Sequence, residues 1–168
     1  MSAQKAYIKT PRIFDIKKKI TADSDKIKKA LIDLMCYVGE QCVSEARGYG
    51  NYNDITGNLR SSIGYVVLHN GQPVRYGSAE QFSGSGTAET DGKKEQANNG
   101  AEGVKQMRKL IRKLAGDLAN IQGIVLVVAA GMNYAIYVEA KGKNVLTSSK
   151  LLAQELVPEL LRQLGFKK

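Results

Sequence analysis

Few residues of this chain are of types that do chemistry. It has one histidine, His69, and two cysteines, Cys36 and Cys42. Among its carboxylates Glu139 stands out, because it ends the alternating stretch "NYAIYVEA" (Asn133–Ala140) just before a lysine–glycine turn. Nucleophilic catalysis through His69 requires a second group that positions and polarises the imidazole. A histidine beside the Asn70–Gly71 turn reads instead as an exposed loop residue. The cysteines lie six apart in one helical segment. At about 100° per residue their side chains diverge by roughly 240°, which suits neither a disulfide nor a shared metal, so they read as small buried hydrophobes. Zinc needs more His and Cys ligands than the chain supplies. Paired-carboxylate chemistry requires two acids converging in a pocket. Read as a strand, the stretch puts Ala135, Tyr137 and Glu139 on one face with no acidic partner nearby. Glu139 is therefore expected to be a structural carboxylate, paired with a cation such as Arg60 or one from the basic helix, or accepting backbone amides.

"GSGTAETDGKK" invites a phosphate-loop reading and fails on spacing. Gly86 to Gly92 encloses one residue too many, Lys94 stands where Ser or Thr should bind magnesium, and no apolar strand leads in. It reads as linker. With no catalytic constellation and no cofactor or metal motif, the chain is expected not to be an enzyme.

The elements that must position these residues follow from composition and periodicity. The chain has 168 residues, 43% of them hydrophobic, enough for one domain with a real core. The N-terminus lacks the apolar run of a signal peptide. The longest nearly apolar run, Gly123–Met132, is far short of the roughly 20 residues a membrane helix needs. The expectation is a soluble protein made in the cytoplasm. The net charge of +9 is concentrated in Met1–Lys29, with nine Lys/Arg against three acids, and in Lys93–Lys113, with seven against two. Such charge attracts nucleic acid and acidic protein surfaces alike.

Residues 1–20 read as a basic arm and 21–168 as a single domain. A helix over about 24–46, capped by Thr21 or Asp23, carries the stripe Ile27, Leu31, Leu34, Val38 and Cys42. "TGNLRSSI" reads as a short helical turn capped by Thr56, with Leu59 and Ile63 buried. "IGYVVLHNGQPVRYGS" is a hairpin about a type I′ Asn70–Gly71 turn, with Pro73 marking an edge strand. Residues 78–103 have one large apolar residue, Phe82, and read as a mobile loop. An amphipathic helix over 104–118 opposes Val104, Met107, Ile111, Leu114 and Leu118 to Lys105, Arg108, Lys109, Arg112 and Lys113. That cationic face suits solvent, an acidic protein surface or nucleic acid, and the last would make the chain a basic nucleic-acid-binding module using the 104–118 helix; the segment lacks interleaved aromatics for base stacking and any groove-reading motif. "GIVLVVAAG" and "NYAIYVEA" read as two paired strands. A last helix, capped by Thr147, Ser148 or Ser149, runs to about Leu164 and is kinked by Pro158. Its apolar residues Leu152, Leu156, Val157, Leu160, Leu161 and Leu164 span half its circumference. A second subunit could cover the surplus; so could the mobile loop or the basic helix. The sum is an α+β fold: an antiparallel sheet of about four strands packed by a long N-terminal and a C-terminal helix, with an inserted loop and basic helix.

Two of these segments carry a resemblance. "DITGNLRSSI" (Asp54–Ile63), followed by "NYAIYVEAKGKNVL" (Asn133–Leu146) and an amphipathic C-terminal helix, resembles the tail-completion, or head–tail joining, family of long-tailed bacteriophages and prophages. Thr56, Gly57, Leu59, Arg60, Ser62 and Ile63 match the first motif; Tyr134, Ala135, Tyr137, Val138, Glu139 and Gly142 match the second. Many relatives read Glu-x-Gly-Thr and then an aromatic–proline stretch, whereas here Lys141 precedes Gly142 and "KNVLTSS" follows. Residues 78–121 look like an insertion. The resemblance implies a non-catalytic virion component made in the bacterial host. It would join or complete the tail at the head–tail interface as a ring, often sixfold, that can form only on assembly. Its partners would be further copies of itself, neck or connector proteins and tail-tube proteins, with DNA passing the lumen and no membrane. A head-to-tail ring needs two different complementary patches per subunit. The expected ones are the C-terminal helix, through Leu152, Leu156, Leu160 and Leu164, and the sheet edge or basic helix.

Overall fold

A computed structural model describes residues 13–77, 79–84, 88–90, 93–95 and 99–166, with side chains described from residue 22 onward outside 85–98. The chain divides into two compact units, residues 1–31 and 32–168. The first holds the start of α1 (Ile13–Gly48), along which Lys26 pairs with Asp23 and Lys28 with Asp25 on the exposed surface. The helix starts well before the expected residue 24, and Thr21 and Asp23 lie inside it rather than capping it. Of the basic arm, residues 13–20 are helical and 1–12 lie outside the described residues. Ile27, expected in the apolar stripe, is exposed, and burial begins at Leu34.

The second unit is α+β. From Ile32 onward, α1 is followed by α2 (Asn58–Ser61), β1 (Ile63–His69), β2 (Gln72–Tyr76), β3 (Ala88–Thr90), β4 (Lys93–Glu95), α3 (Ala101–Asp117), β5 (Ile124–Ala130), α4 (Ala135–Ala140) and α5 (Thr147–Gln163). The main sheet is antiparallel in the order β2-β1-β5. Its central strand explains the unbroken apolar run Ile63–Leu68. In β1, Ile63, Tyr65 and Val67 face one core with Val43 and Ala46 of α1, while Val66 and Leu68 face the other with Val104, Met107 and Ile111 of α3. Period-two alternation therefore survives, but both faces are covered. Ile63, Val66, Val67 and Leu68 are wholly buried, each removal from water contributing about 1.5–3 kcal/mol. The C-terminal helix α5 lays Leu156, Val157, Leu160 and Leu161 against Leu34, Val38 and Cys42 of α1.

The hairpin forms as its turn chemistry dictates. Asn70 and Gly71 both have positive φ, 49° and 75°, as a type I′ turn requires, and Pro73 lies on the edge strand.

Two further expectations fail. The main sheet has three strands, because "NYAIYVEA" is not a strand beside β5: Ala135–Ala140 is the helix α4, and β5 pairs with β1 instead. Residues 78–103 are not a structureless loop throughout. Ala88–Thr90 and Lys93–Glu95 form a two-stranded ladder, Phe82 and Gly84 pack on the α2 region, and α3 begins at Ala101; the remainder of that segment lies outside the described residues. Pro158 sits within α5, which continues through it to Gln163.

Candidate functional site

The first motif folds into a junction. Gly57 precedes α2 with φ of 76°, and a β-carbon there would collide with the Phe82 carbonyl. Thr56 is buried and its Oγ1 accepts weakly from the Asn58 amide (3.4 Å). The stronger cap is Asp54, whose carboxylate accepts the amides of Leu59 (3.3 Å) and Arg60 (3.0 Å). The Thr56 cap expected from sequence is thus replaced by an acid two residues earlier, which reaches free amides deeper in the turn. Beyond the turn, three side chains tie remote segments to it. Asn58 Oδ1 accepts the Gly103 amide at the start of α3 (3.2 Å). Ser61 Oγ donates to the Gly57 carbonyl (2.6 Å) and accepts from the Phe82 amide (2.8 Å). Ser62 Oγ donates to the Leu59 carbonyl (2.7 Å) and accepts from the Met132 amide beyond β5 (3.4 Å). Leu59 and Ile63 are buried as expected.

Beside this junction, the guanidinium groups of Arg47 and Arg60 lie over the Phe82 ring, 5.4 and 5.8 Å from its centroid. Arg47 is buried, donates to the Ile63 carbonyl (2.9 Å) and pairs with Glu80 (2.8 Å). Burial pulls its pKa below the usual arginine value, against the opposing pull of Glu80. Sequence reasoning found Arg60 but not this stack, because Phe82 is isolated within polar surroundings and gives no periodic signal.

The second motif is a helix clip. From α4, the Glu139 carboxylate accepts the amides of Val145 (3.1 Å), Leu146 (2.8 Å) and Thr147 (3.1 Å), and also the Thr147 hydroxyl. These are orphan amides at the N-terminus of α5, where the helix dipole also favours a negative charge. Partial burial opposes its ionisation, but the Thr147 hydroxyl and the three amides outweigh that and hold the carboxyl below the usual glutamate range. No residue within α5 caps it by a side chain: Asn144 accepts the Ser148 amide (3.0 Å), and Ser149 is buried, donating to the Cys42 carbonyl of α1 (2.7 Å). Of the two partnerships expected for Glu139, the structure has the amides, and among the described residues no cation pairs with it. Gly142 follows α4 with φ of 72°.

Tyr134 and Tyr137, matched in the same motif, are exposed, as is Ile136. Ile136 lines an open groove of about 360 Å³ with Ala130, Val145, Leu146, Lys150 and Glu139. Of the interface candidates, Leu156 and Leu160 face α1, Leu152 is half-buried and Leu164 is exposed, joined in exposure by Leu151 and Phe166.

The basic face of α3 is exposed at Lys105, Arg108, Lys109 and Arg112, as expected. Lys105 is 3.5 Å from Glu102, and among the described residues the other three make no ion pair. Arg108 and Arg112 line a second cleft, of about 390 Å³, together with Tyr76 and Gly77. His69 ends β1 opposite Gln72 and Ile124. Among the described residues no group of three His, Cys, Asp or Glu could hold a metal ion, and no helix is long and apolar enough to cross a membrane.

No family model, curated protein or solved structure matches the chain. The functional reading therefore rests on the residues themselves.

Proposed function

We propose that this chain is a structural assembly protein of a tailed phage or prophage, joining or completing the tail at the head–tail interface as a ring of identical subunits in the virion. The reading is carried by the ordered pair of motifs, Thr56–Ile63 and Tyr134–Gly142. Their polar side chains support it through what they bind. Ser61 and Ser62 hydrogen-bond to segments distant in the chain and Glu139 ties α4 to the start of α5, the work of a scaffold rather than of a reaction centre. Exposed Ile136 and Tyr137 on α4, with Leu151 and Leu164 on α5, supply apolar surface for one side of a head-to-tail contact. The cationic face of α3 supplies a chemically different surface for the other side, or for DNA in the lumen. The partners are further copies, neck or connector proteins and tail-tube proteins.

Native mass spectrometry of the chain, alone and mixed with the neck and tail proteins encoded beside it, tests the reading. A closed ring or a ring-bearing complex is expected, and Ile136→Asp combined with Leu151→Asp is expected to abolish it while the monomer keeps its circular dichroism spectrum. A monomer in both settings would overturn the proposal; so would a gene neighbourhood without portal, capsid and tail-tube genes.

A further inference from the structure

We propose that the cleft between the edge strand β2 and the helix α3 is a binding site for single-stranded nucleic acid, in which a base stacks on Tyr76 and Arg108 and Arg112 hold the flanking phosphates. The helix has no aromatic residue of its own, and the fold supplies one from another element. Tyr76 pairs with Val66 across the β1–β2 ladder, and directly opposed residues project to the same face of a sheet. Val66 belongs to the core formed with α3, so Tyr76 also faces α3, whereas its neighbour Arg75 pairs with Val67 and faces the other side. Tyr76 is 51% exposed, leaving ring surface for a ligand.

The remaining lining fits the same ligand. Met107 and Ile111 of α3, with Gly77 and Ala79, make an apolar floor to a cleft of about 390 Å³, within the range of small-molecule sites. Arg108 and Arg112 are four residues apart on one helix, so they share a face one above the other at about 6 Å along the axis. Among the described residues no carboxylate lines the cleft, and Glu102, the acid in the first turn of α3, is held by Lys105 and Gln106. A positive groove beside a half-exposed aromatic is the combination that binds single strands without sequence preference. A duplex hides its base faces and would meet only the cations; an acidic peptide would have no need of the tyrosine.

The site rests on this cleft and not on ring formation, so either proposal can fail alone. Fluorescence anisotropy of the full chain with a labelled oligo(dT) of about 12 nucleotides tests it, a length within the usual single-strand site sizes. Tyr76→Ala is expected to weaken binding about 5- to 100-fold and Tyr76→Phe to leave it nearly unchanged, as loss of one stacked base predicts. Arg108→Ala with Arg112→Ala is expected to weaken binding more than Lys109→Ala with Lys113→Ala, and to lower the slope of log affinity against log salt by about 1.4. Tyr76 is on an edge strand and both arginines are exposed, so matching thermal melts should accompany these losses. The proposal is overturned if Tyr76→Ala binds as the parent does, if the two double variants lose affinity equally, or if duplex DNA or polyglutamate displaces oligo(dT) as well as unlabelled oligo(dT) does.

Discussion

Glu139 is the residue that the sequence singled out and the structure placed in a different element. Its worth is that of a helix cap with formal charge, so Glu139→Gln, which keeps the shape and loses the anion, should cost about 1–2 kcal/mol. For a chain of this size that is a fall in Tm of roughly 2–8 °C, readable by calorimetry. The pH dependence has a defined sign. Because the folded-state pKa is depressed, the contribution is complete above the ordinary glutamate pKa, near 4.5, and is lost as pH falls through the lower folded value. The parent's stability should therefore drop more steeply below pH about 4.5 than that of Glu139→Gln. Gly57 makes a second residue-scale case. Gly57→Ala meets both a left-handed backbone and the Phe82 carbonyl, so it should lose about 2 kcal/mol or more, against a few tenths for an ordinary exposed site. The Phe82–Gly84 segment should become protease-sensitive in that variant.

At the scale of elements, legibility followed periodicity. The stripe of α1 from Leu34 onward, the cationic and apolar faces of α3, and the Asn70–Gly71 hairpin were all readable, because each repeats its signal over several turns or rests on one obligatory backbone conformation. The segment Ala135–Ala140 was not. Its alternation of Ala, Ile, Tyr, Val and Glu reads as a strand, yet Ala135 is buried, Val138 and Glu139 half-buried, and Ile136 and Tyr137 exposed, a spacing of three to four. Six residues are too few to display a helical period, and the free amides of α5 gave Glu139 a tertiary reason to sit on a helix. The cleft was hidden for a related reason: Tyr76 and Arg108 are joined only by sheet register. The α1–α5 crossing gives a chemical test of this scale. The Cys42 thiol is fully buried and donates to the Ser149 carbonyl (3.4 Å), and burial raises its pKa, with Glu45 adding to the effect. Cys36 is only half-buried. Iodoacetamide should modify Cys36 first and Cys42 at the rate of unfolding, and Ser149→Ala, which removes the bond to the Cys42 carbonyl at a cost of about 1 kcal/mol, should speed the second step.

For the folded unit 32–168, the central position of β1 fixes where stability is greatest. Its amides are bonded to β2 on one side and β5 on the other, under helices on both faces, so they should exchange with solvent only through global unfolding. The amides of β2, exposed along all five residues, should exchange orders of magnitude faster, which NMR or mass spectrometry would resolve.

The two ladders of β1 also differ in when they can exist. The β2 partner follows after a turn of two residues, whereas β5 pairs His69 with Ile124 and Ile63 with Ala130 and emerges from the ribosome only after α3 has been made. A nascent chain ending before Ile124 thus holds a finished hairpin with one bare, strongly apolar edge, the kind of surface on which half-made chains stick to one another or recruit chaperones. Solubility during synthesis hangs on the arrival of Ile124–Ala130.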